Sequence, residues 1–481
     1  MTRWAAVLAA LTLARLAVAA AIPLAPDETY YWVWSRALAA GYLDHPPMVA
    51  LWIRAGTALA GEGALGIRLL GPLSAALGSV LLADAAERLL PGRRAGIMAA
   101  ALLNATLLFG VGTVIMTPDT PLLFFWTAAL WAAVHAGRSG GIAWWSVVGL
   151  CAGLALASKY TAVFLWFGLA LWILVVPSLR RQLRKPGPWI GGLVAVAAFL
   201  PVVVWNADHD WASFLRQGGR AAAWRPTRAI GFLGELVGAQ FGLATPLVFL
   251  LCVVGGVAAA RSAWRQRNPA ATLLAALTVP ATLVFLQHAI GDRVQGNWPA
   301  ILYPAACIAA AGLVGPAWER LQRPAVVLGL AITAAIYVQA AAGVLPVPPK
   351  RDPIALQLRG WTELAAQVEA VRQQTGARFV AADQYALAGE LAHALPADVS
   401  VIGVEARWAL TALPPAAPGD ASGLLVRNAR RDDAIDPTLW RDVTPVGEAA
   451  RGSIDTFRLY RVTAAPGLRD AVWLPRPDMT R

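Results

Sequence analysis

Two acidic residues stand side by side in Asp27-Glu28-Thr29-Tyr30-Tyr31, directly after an apolar segment. A second acidic–basic pair follows in Asp44-His45-Pro46-Pro47. A carboxylate at the edge of hydrocarbon is costly and marks a functional position. Asp27 is the first choice for a functional carboxylate here. Neighbouring residues at a helix start point in different directions, so Glu28 reads either as a second acid or as a charge favourably placed near a helix N-terminus. The aromatic residues around these acids, Tyr30 and Tyr31 foremost, are candidate contacts for a bound donor, because a plain polar loop has no use for them.

Other ionisable residues recur beside apolar segments. Asp119, in Thr117-Pro118-Asp119-Thr120-Pro121, is a second candidate acid and also a good N-cap, and the two roles are compatible. Lys159, in Ser158-Lys159-Tyr160, is one of three lysines in an arginine-rich chain. A compact ammonium suits a phosphate, with snorkelling to the interface as the alternative. His45 pairs either with a phosphate or with Asp44. Arg293 is a candidate second phosphate ligand, and Asn297 and Trp298 open a further apolar segment beside it. The 206–231 loop carries Arg216, Arg220, Arg225 and Arg228. These arginines suit an anionic headgroup or diphosphate, or else a surface helix lying on anionic lipid. No nucleotide-binding, dinucleotide-binding or zinc-ligand spacing occurs. The sequence therefore calls for no cofactor and no metal site, although a divalent ion bridging acids and phosphate is compatible with it.

The elements that must position these residues are membrane helices. The chain is 58% hydrophobic and only 14% charged, a composition of polytopic membrane proteins. Runs of about 17–25 apolar residues, each long enough to cross a bilayer, number about eleven. They lie near 4–24, 64–83, 95–116, 120–136, 142–157, 160–177, 188–205, 232–259, 271–289, 298–315 and 324–344. The N-terminus has features of a signal peptide, but Arg15 interrupts the apolar run, and the segment reads as a retained first helix. The three cysteines lie inside apolar runs as small packing residues. Net charge is +12; because the arginines gather in alternate short loops, topology explains it and no nucleic-acid partner is expected. Arg3, Arg88, Arg93, Arg138, Arg180, Arg184, Arg261 and Arg320 then face the cytoplasm. Asp27, Asp44, Asp119 and Asp292 face the exterior, and an odd span count puts the C-terminus outside.

Hydropathy falls after the Pro-rich linker 345–349. Residues 360–375 and 384–395 read as helices, and 378–382, 399–404, 423–427 and 455–462 as strands. The expected architecture is a polytopic α-helical membrane domain, 1–345, with a first outer loop over 25–63, followed by a small periplasmic α/β domain over 346–481.

Pro26-Asp27-Glu28-Thr29-Tyr30-Tyr31 followed by Asp44-His45-Pro46-Pro47 resembles the first outer loop of family 39-like integral-membrane glycosyltransferases of the GT-C class. That group includes the aminoarabinose–lipid A and lipid A galacturonosyl transferases. Thr117-Pro118-Asp119-Thr120-Pro121, Ser158-Lys159-Tyr160 and Asn297-Trp298-Pro299 are similar to its later landmarks. The resemblance implies a bacterial inner-membrane enzyme with a polyprenyl-phosphate-linked sugar as donor and a lipid A or cell-envelope glycan as acceptor. It also implies transfer on the outer face, usually with inversion. Carried over by motif, Asp27 is the catalytic carboxylate, Asp119 the second acid and Lys159 a cavity-lining cation. The aminoarabinose transferases have a lysine, associated with the lipid phosphate, where this chain has His45.

Chemically, Asp27 would orient or deprotonate the acceptor hydroxyl with Asp119 in support, while Lys159, Arg293 and His45 steady the departing phosphate. Transfer to protein Ser/Thr uses the same acidic loop and stays open. A lipid-sugar flippase predicts internal repeats and midplane charges; no repeat is visible, and Arg15 is the one charge in that position.

Overall fold

The computed structural model describes residues 2–219, 224–466, 468 and 471–477. Arg220 lies outside them. Seven helices among the described residues are long and apolar enough to cross a membrane: Arg3–Ala21, Ala64–Leu89, Asp119–Ser139, Pro186–Asp208, Pro246–Gln266, Pro269–Gly291 and Pro316–Ala342. An eighth, Tyr160–Val175 with Pro177–Arg184, is bent by 93°. Shorter apolar helices occupy Met48–Ala60, Ala95–Asn104, Ile142–Leu156 and Trp298–Gly312. The molecule is a multi-pass helical membrane protein with a small α/β domain.

One expected span divides. The 232–259 run forms two helices, Ala229–Leu243 and Pro246–Gln266, with Thr245 between them at φ 63°. Pro246 disfavours a helical conformation in the residue before it, a local constraint that hydropathy does not register.

The chain divides into two compact units. The first comprises Met1–Ala17, Asp44–Val49 and Leu70–Ile336. Its core joins Leu82, Leu102, Trp126, Leu130, Leu165, Leu251, Leu274 and Ile308. Small residues bring its backbones together. A Cβ on Gly149 would lie 1.9 Å from the Gly191 carbonyl oxygen, and one on Gly153 would lie 2.6 Å from that of Ala195. Helices Ile142–Leu156 and Pro186–Asp208 thus meet along two small-residue pairs spaced four apart. Arg15 is buried here with its guanidinium 5.4 Å from the centre of the Phe109 ring.

The second unit comprises Val18–Leu43, Ala50–Leu69 and Tyr337–Arg481. Its sheet contains β1 (Phe379–Ala382), β2 (Ser400–Gly403), β3 (Ser422–Asn428), β4 (Trp440–Arg451), β5 (Asp455–Ala464) and β6 (Val472–Trp473) in the order β4-β5-β3-β1-β2-β6. β1 runs parallel to β2 and β3, with Phe379 opposite Ser400 and Gly423; the remaining pairings are antiparallel. Helix Trp361–Thr375 precedes β1, and helix Tyr385–Ala394 connects β1 to β2. β4 went unread in the sequence because two register shifts, at Arg441/Thr444 and Pro445/Gly447, break its alternation.

The expected outer loop is largely helical, holding Pro26–Arg36 and Met48–Ala60. The first of these is part of the second unit, and helix Tyr385–Ala394 packs closely on it. A Cβ on Gly389 would come 3.1 Å from both Thr29 Oγ1 and Tyr30 N.

Candidate active site

In the second unit, helix Pro26–Arg36 carries Asp27, Glu28, Tyr30 and Tyr31 and is anchored at both ends. At its start, Glu28 accepts from the Ala25 backbone N at 2.9 Å and from Arg68 Nε at 2.7 Å and Nη2 at 2.5 Å. Arg68 also donates to the carbonyls of Ala19, Ile22 and Pro23 at 3.0, 2.8 and 2.8 Å. All five guanidinium N–H groups are therefore used, and both side chains are fully buried. At the other end, Glu62 accepts from Trp32 Nε1 at 2.8 Å and Arg36 Nη1 at 2.5 Å. This geometry gives Glu28 the work of a structural clamp.

Asp27, one position earlier, is exposed, and Tyr385 Oη donates to its Oδ1 at 3.3 Å. Tyr30 and Tyr31 are buried in an aromatic cluster. Tyr30 packs on Trp34 and Tyr385, each at 4.6 Å, and on Trp408 at 5.2 Å, while Tyr31 packs on Trp34 at 4.9 Å. Glu390 is buried beside them and accepts from Thr29 Oγ1 at 3.4 Å. Burial, then the neighbouring charge of Glu28, holds its carboxyl well above the ordinary range.

In the first unit, three of the sequence candidates meet. Asp119 is the first residue of its helix, and Lys159 Nζ donates to both of its oxygens at 2.8 Å. Asn297 Nδ2 donates to Oδ2 at 2.5 Å. Asp119 and Lys159 are 8% and 7% exposed, so the pair is nearly desolvated. The Asn297 turn is held from behind, where Gln240 donates to the Gly296 carbonyl at 2.8 Å and accepts from Tyr303 Oη at 3.1 Å.

The other candidates of this unit have the following contacts. Arg293 pairs with Glu235 at 3.0 Å, both well exposed, and Trp298 lies against His288 with ring centres 5.7 Å apart. His45 is half-buried beside Asp44, whose carboxylate faces Arg216 at 3.5 Å and whose carbonyl accepts from Gln217 at 2.5 Å. Of the other loop arginines, Arg228 stacks on Phe232 at 4.9 Å and Arg225 donates its backbone N–H to Gly291 at 2.6 Å. Among the described residues no group of three or more His, Cys, Asp or Glu side chains is placed to hold a metal.

Arg68, Gln240, Tyr303 and Tyr385 were missed in the sequence. Only Arg68 left a signal, as a charge within an apolar run.

A many-helix membrane domain with an acidic helix, a buried Lys–Asp–Asn cluster and a C-terminal α/β domain is the build of a GT-C integral-membrane glycosyltransferase. Residues 44–205 match the dolichyl-phosphate-mannose-protein mannosyltransferase family. The chain is 31% identical over 381 residues to the lipid A galacturonosyltransferase RgtD of Rhizobium johnstonii, covering 77% of each chain. It is 27% identical over 436 residues to the undecaprenyl phosphate-alpha-4-amino-4-deoxy-L-arabinose arabinosyl transferase of Pseudomonas savastanoi pv. phaseolicola, covering 81% of this chain and 78% of that one. Its fold matches ArnT from Cupriavidus metallidurans, solved bound to undecaprenyl phosphate, with a TM-score of 0.65 at 17% identity, covering 98% and 99% of the two chains. The chain belongs to the GT-C family of membrane glycosyltransferases that contains the lipid A galacturonosyl and aminoarabinosyl transferases.

Proposed function

We propose that this enzyme moves a sugar from a polyprenyl-phosphate-linked donor to lipid A on the outer face of the bacterial inner membrane, with inversion at the sugar. The observation that carries the reading is the 31% identity to a lipid A galacturonosyltransferase across 77% of both chains. It outweighs the mannosyltransferase match, which is confined to residues 44–205. Loop charges support a cytoplasmic N-terminus and a periplasmic location for residues 346–481.

Asp27 is assigned to the acceptor hydroxyl, as the base that takes its proton when the oxygen attacks C1 of the sugar. Lys159 is assigned to the phosphate that leaves. Its ammonium donates to Asp119 alone among the described residues and uses two of its three protons there, so one N–H remains for a phosphate oxygen. Asp119 and Asn297 hold that ammonium in place. An apolar cavity of about 330 Å³ lined by Leu236, Phe249, Cys252, Phe285, Pro299 and Tyr303 suits a hydrocarbon chain.

The test is mass spectrometry of lipid A, other envelope glycans and exported proteins from cells with and without the chain. A hexuronic or aminopentose increment lost from lipid A is expected. A hexose lost from exported proteins instead would transfer the reading to protein glycosylation, and no change in any class would remove the transferase assignment. Asp27→Asn should abolish the increment in cells that retain the folded protein; near-normal transfer by this variant takes Asp27 out of the mechanism.

A further inference from the structure

The C-terminal domain brings its own side chain to the acidic helix. Tyr385 opens helix Tyr385–Ala394 and is half-buried, with its hydroxyl 3.3 Å from Asp27 Oδ1. Three contacts fix the ring. Its backbone N–H donates to Glu405 Oε2 at 2.7 Å, and the other oxygen of that carboxylate accepts from Arg407 Nε at 2.6 Å. The Arg407 guanidinium returns to lie 3.9 Å from the centre of the Tyr385 ring, a cation–π distance. Tyr30, three residues after Asp27 and therefore on the same side of its helix, packs on Tyr385 with ring centres 4.6 Å apart.

The contacts make a closed loop: backbone to carboxylate, carboxylate to guanidinium, guanidinium to ring. The ring's hydroxyl reaches out to Asp27. Packing behind it is equally definite, because Gly389, one turn further along, admits Thr29 and Tyr30 at a spacing no larger residue permits without displacement. Residues joined this way have few alternative rotamers, so the hydroxyl's position is set by the α/β domain together with the Tyr30 ring packed on it. A purely structural tyrosine at this place would need its ring alone.

We infer that Tyr385 is a positioning residue for Asp27, holding the carboxylate in one orientation and favouring its ionised form, so that the C-terminal domain is a working part of the transfer site. The inference rests on Asp27 being the reacting carboxylate. A base must lie within hydrogen-bond reach of its proton to act, and an exposed aspartate with no fixed donor samples several rotamers. A donor hydrogen bond removes most of that freedom and stabilises the charged form.

The test uses the full chain in nanodiscs, with lipid A as acceptor and undecaprenyl-phosphate donors carrying galacturonic acid or 4-amino-4-deoxy-L-arabinose as probes. Tyr385→Phe deletes one oxygen and keeps both ring contacts. Its kcat is expected to fall about tenfold with donor KM within about twofold and Tm unchanged, the effect of one hydrogen bond to a carboxylate. The acid limb of its kcat–pH profile is expected to move to higher pH by about half a unit, since the ionised form has lost a donor. Loss of packing alone would lower Tm and leave that limb in place. Wild-type kcat and an unmoved acid limb in Tyr385→Phe, with Asp27→Asn inactive, overturn the inference and leave the role of Asp27 intact. Normal turnover by Asp27→Asn overturns the reading beneath it.

Discussion

Glu28 and Asp27 are adjacent acids, and the structure separates their work: Glu28 is expected to be needed for folding and Asp27 for turnover. Arg68→Met is the sharpest perturbation. The side chain it removes makes five hydrogen bonds in a site with no solvent exposure, two to Glu28 and three to backbone carbonyls. Removing one partner of a buried ion pair costs about 3–5 kcal/mol. Three carbonyls left without a donor add about 1 kcal/mol each. The sum, about 6–8 kcal/mol, rivals the whole stability of an ordinary domain, so Arg68→Met is expected to fail to fold or to melt far below the wild type. Glu28→Gln is milder, because Arg68 keeps its three carbonyls, and about 3 kcal/mol is expected. Glu28→Leu combined with Arg68→Met should cost less than the two single changes added together, by about 2–3 kcal/mol, since no unpaired charge remains. Thermal unfolding in nanodiscs, followed by tryptophan fluorescence, measures these differences, and lipid A modification measures turnover alongside. A Glu28→Gln protein with wild-type Tm and no turnover would refute the reasoning and make Glu28 a reacting acid.

Two further changes test the framework around the site. Glu390 titrates higher when folded than its ordinary 4.5, because it is buried and because Glu28 carries charge nearby. The folded protein therefore holds a proton that the unfolded chain releases, and this group's contribution is full below about pH 4.5 and declines as pH rises toward the folded value. Glu390→Gln imitates the protonated acid, so its Tm should fall less than the wild type's between about pH 5 and 8; parallel curves would contradict the burial argument. In the membrane domain, Gly149→Val places methyl groups where even a Cβ would be 1.9 Å from the Gly191 oxygen. A loss of about 3 kcal/mol and poor membrane accumulation are expected, whereas wild-type yield and Tm would mean the two helices can separate at no cost.

What the sequence disclosed follows from the range of the forces involved. Spans such as Asp119–Ser139 and Pro269–Gly291 are legible because twenty apolar residues in a row carry one meaning. The parallel strands β1–β3 and the helices beside them are legible for the same local reason. The Thr245–Pro246 break, β4 with its two register shifts, and the kink near Pro177 depend on backbone geometry that hydropathy averages away. Within the site, Asp119, Lys159 and Asn297 each stood out by residue type, but their convergence across 178 positions of chain did not. Tyr385 was invisible: it lies 358 residues from Asp27, in a domain read only as an appendage.

The same distinction explains why charge in an apolar setting is an ambiguous signal until its hydrogen bonds are counted. Arg68 and Lys159 are both buried cations paired with a carboxylate, and in the sequence Lys159 earned attention for its rarity, its place beside an apolar segment and its motif. Arg68 has five donors and five acceptors, all within the protein, so it has nothing left to offer a ligand and its removal leaves unpaired groups. Lys159 has three donors and two bonds, both to one carboxylate. An ammonium held in a nearly dry site with one proton unassigned is a strong electrostatic partner for an incoming anion, because little water has to be displaced from it. The pair with Asp119 keeps that charge in place when no anion is bound. Lys159→Met should therefore raise donor KM and lower kcat together, since the phosphate is held in the ground state and gains charge as it leaves. Asp119→Asn should leave the ammonium present but less well fixed, with the larger effect on kcat. If both variants bind and turn over the donor like the wild type, the cluster is a membrane-buried staple of the same kind as Glu28–Arg68, and the phosphate is held elsewhere.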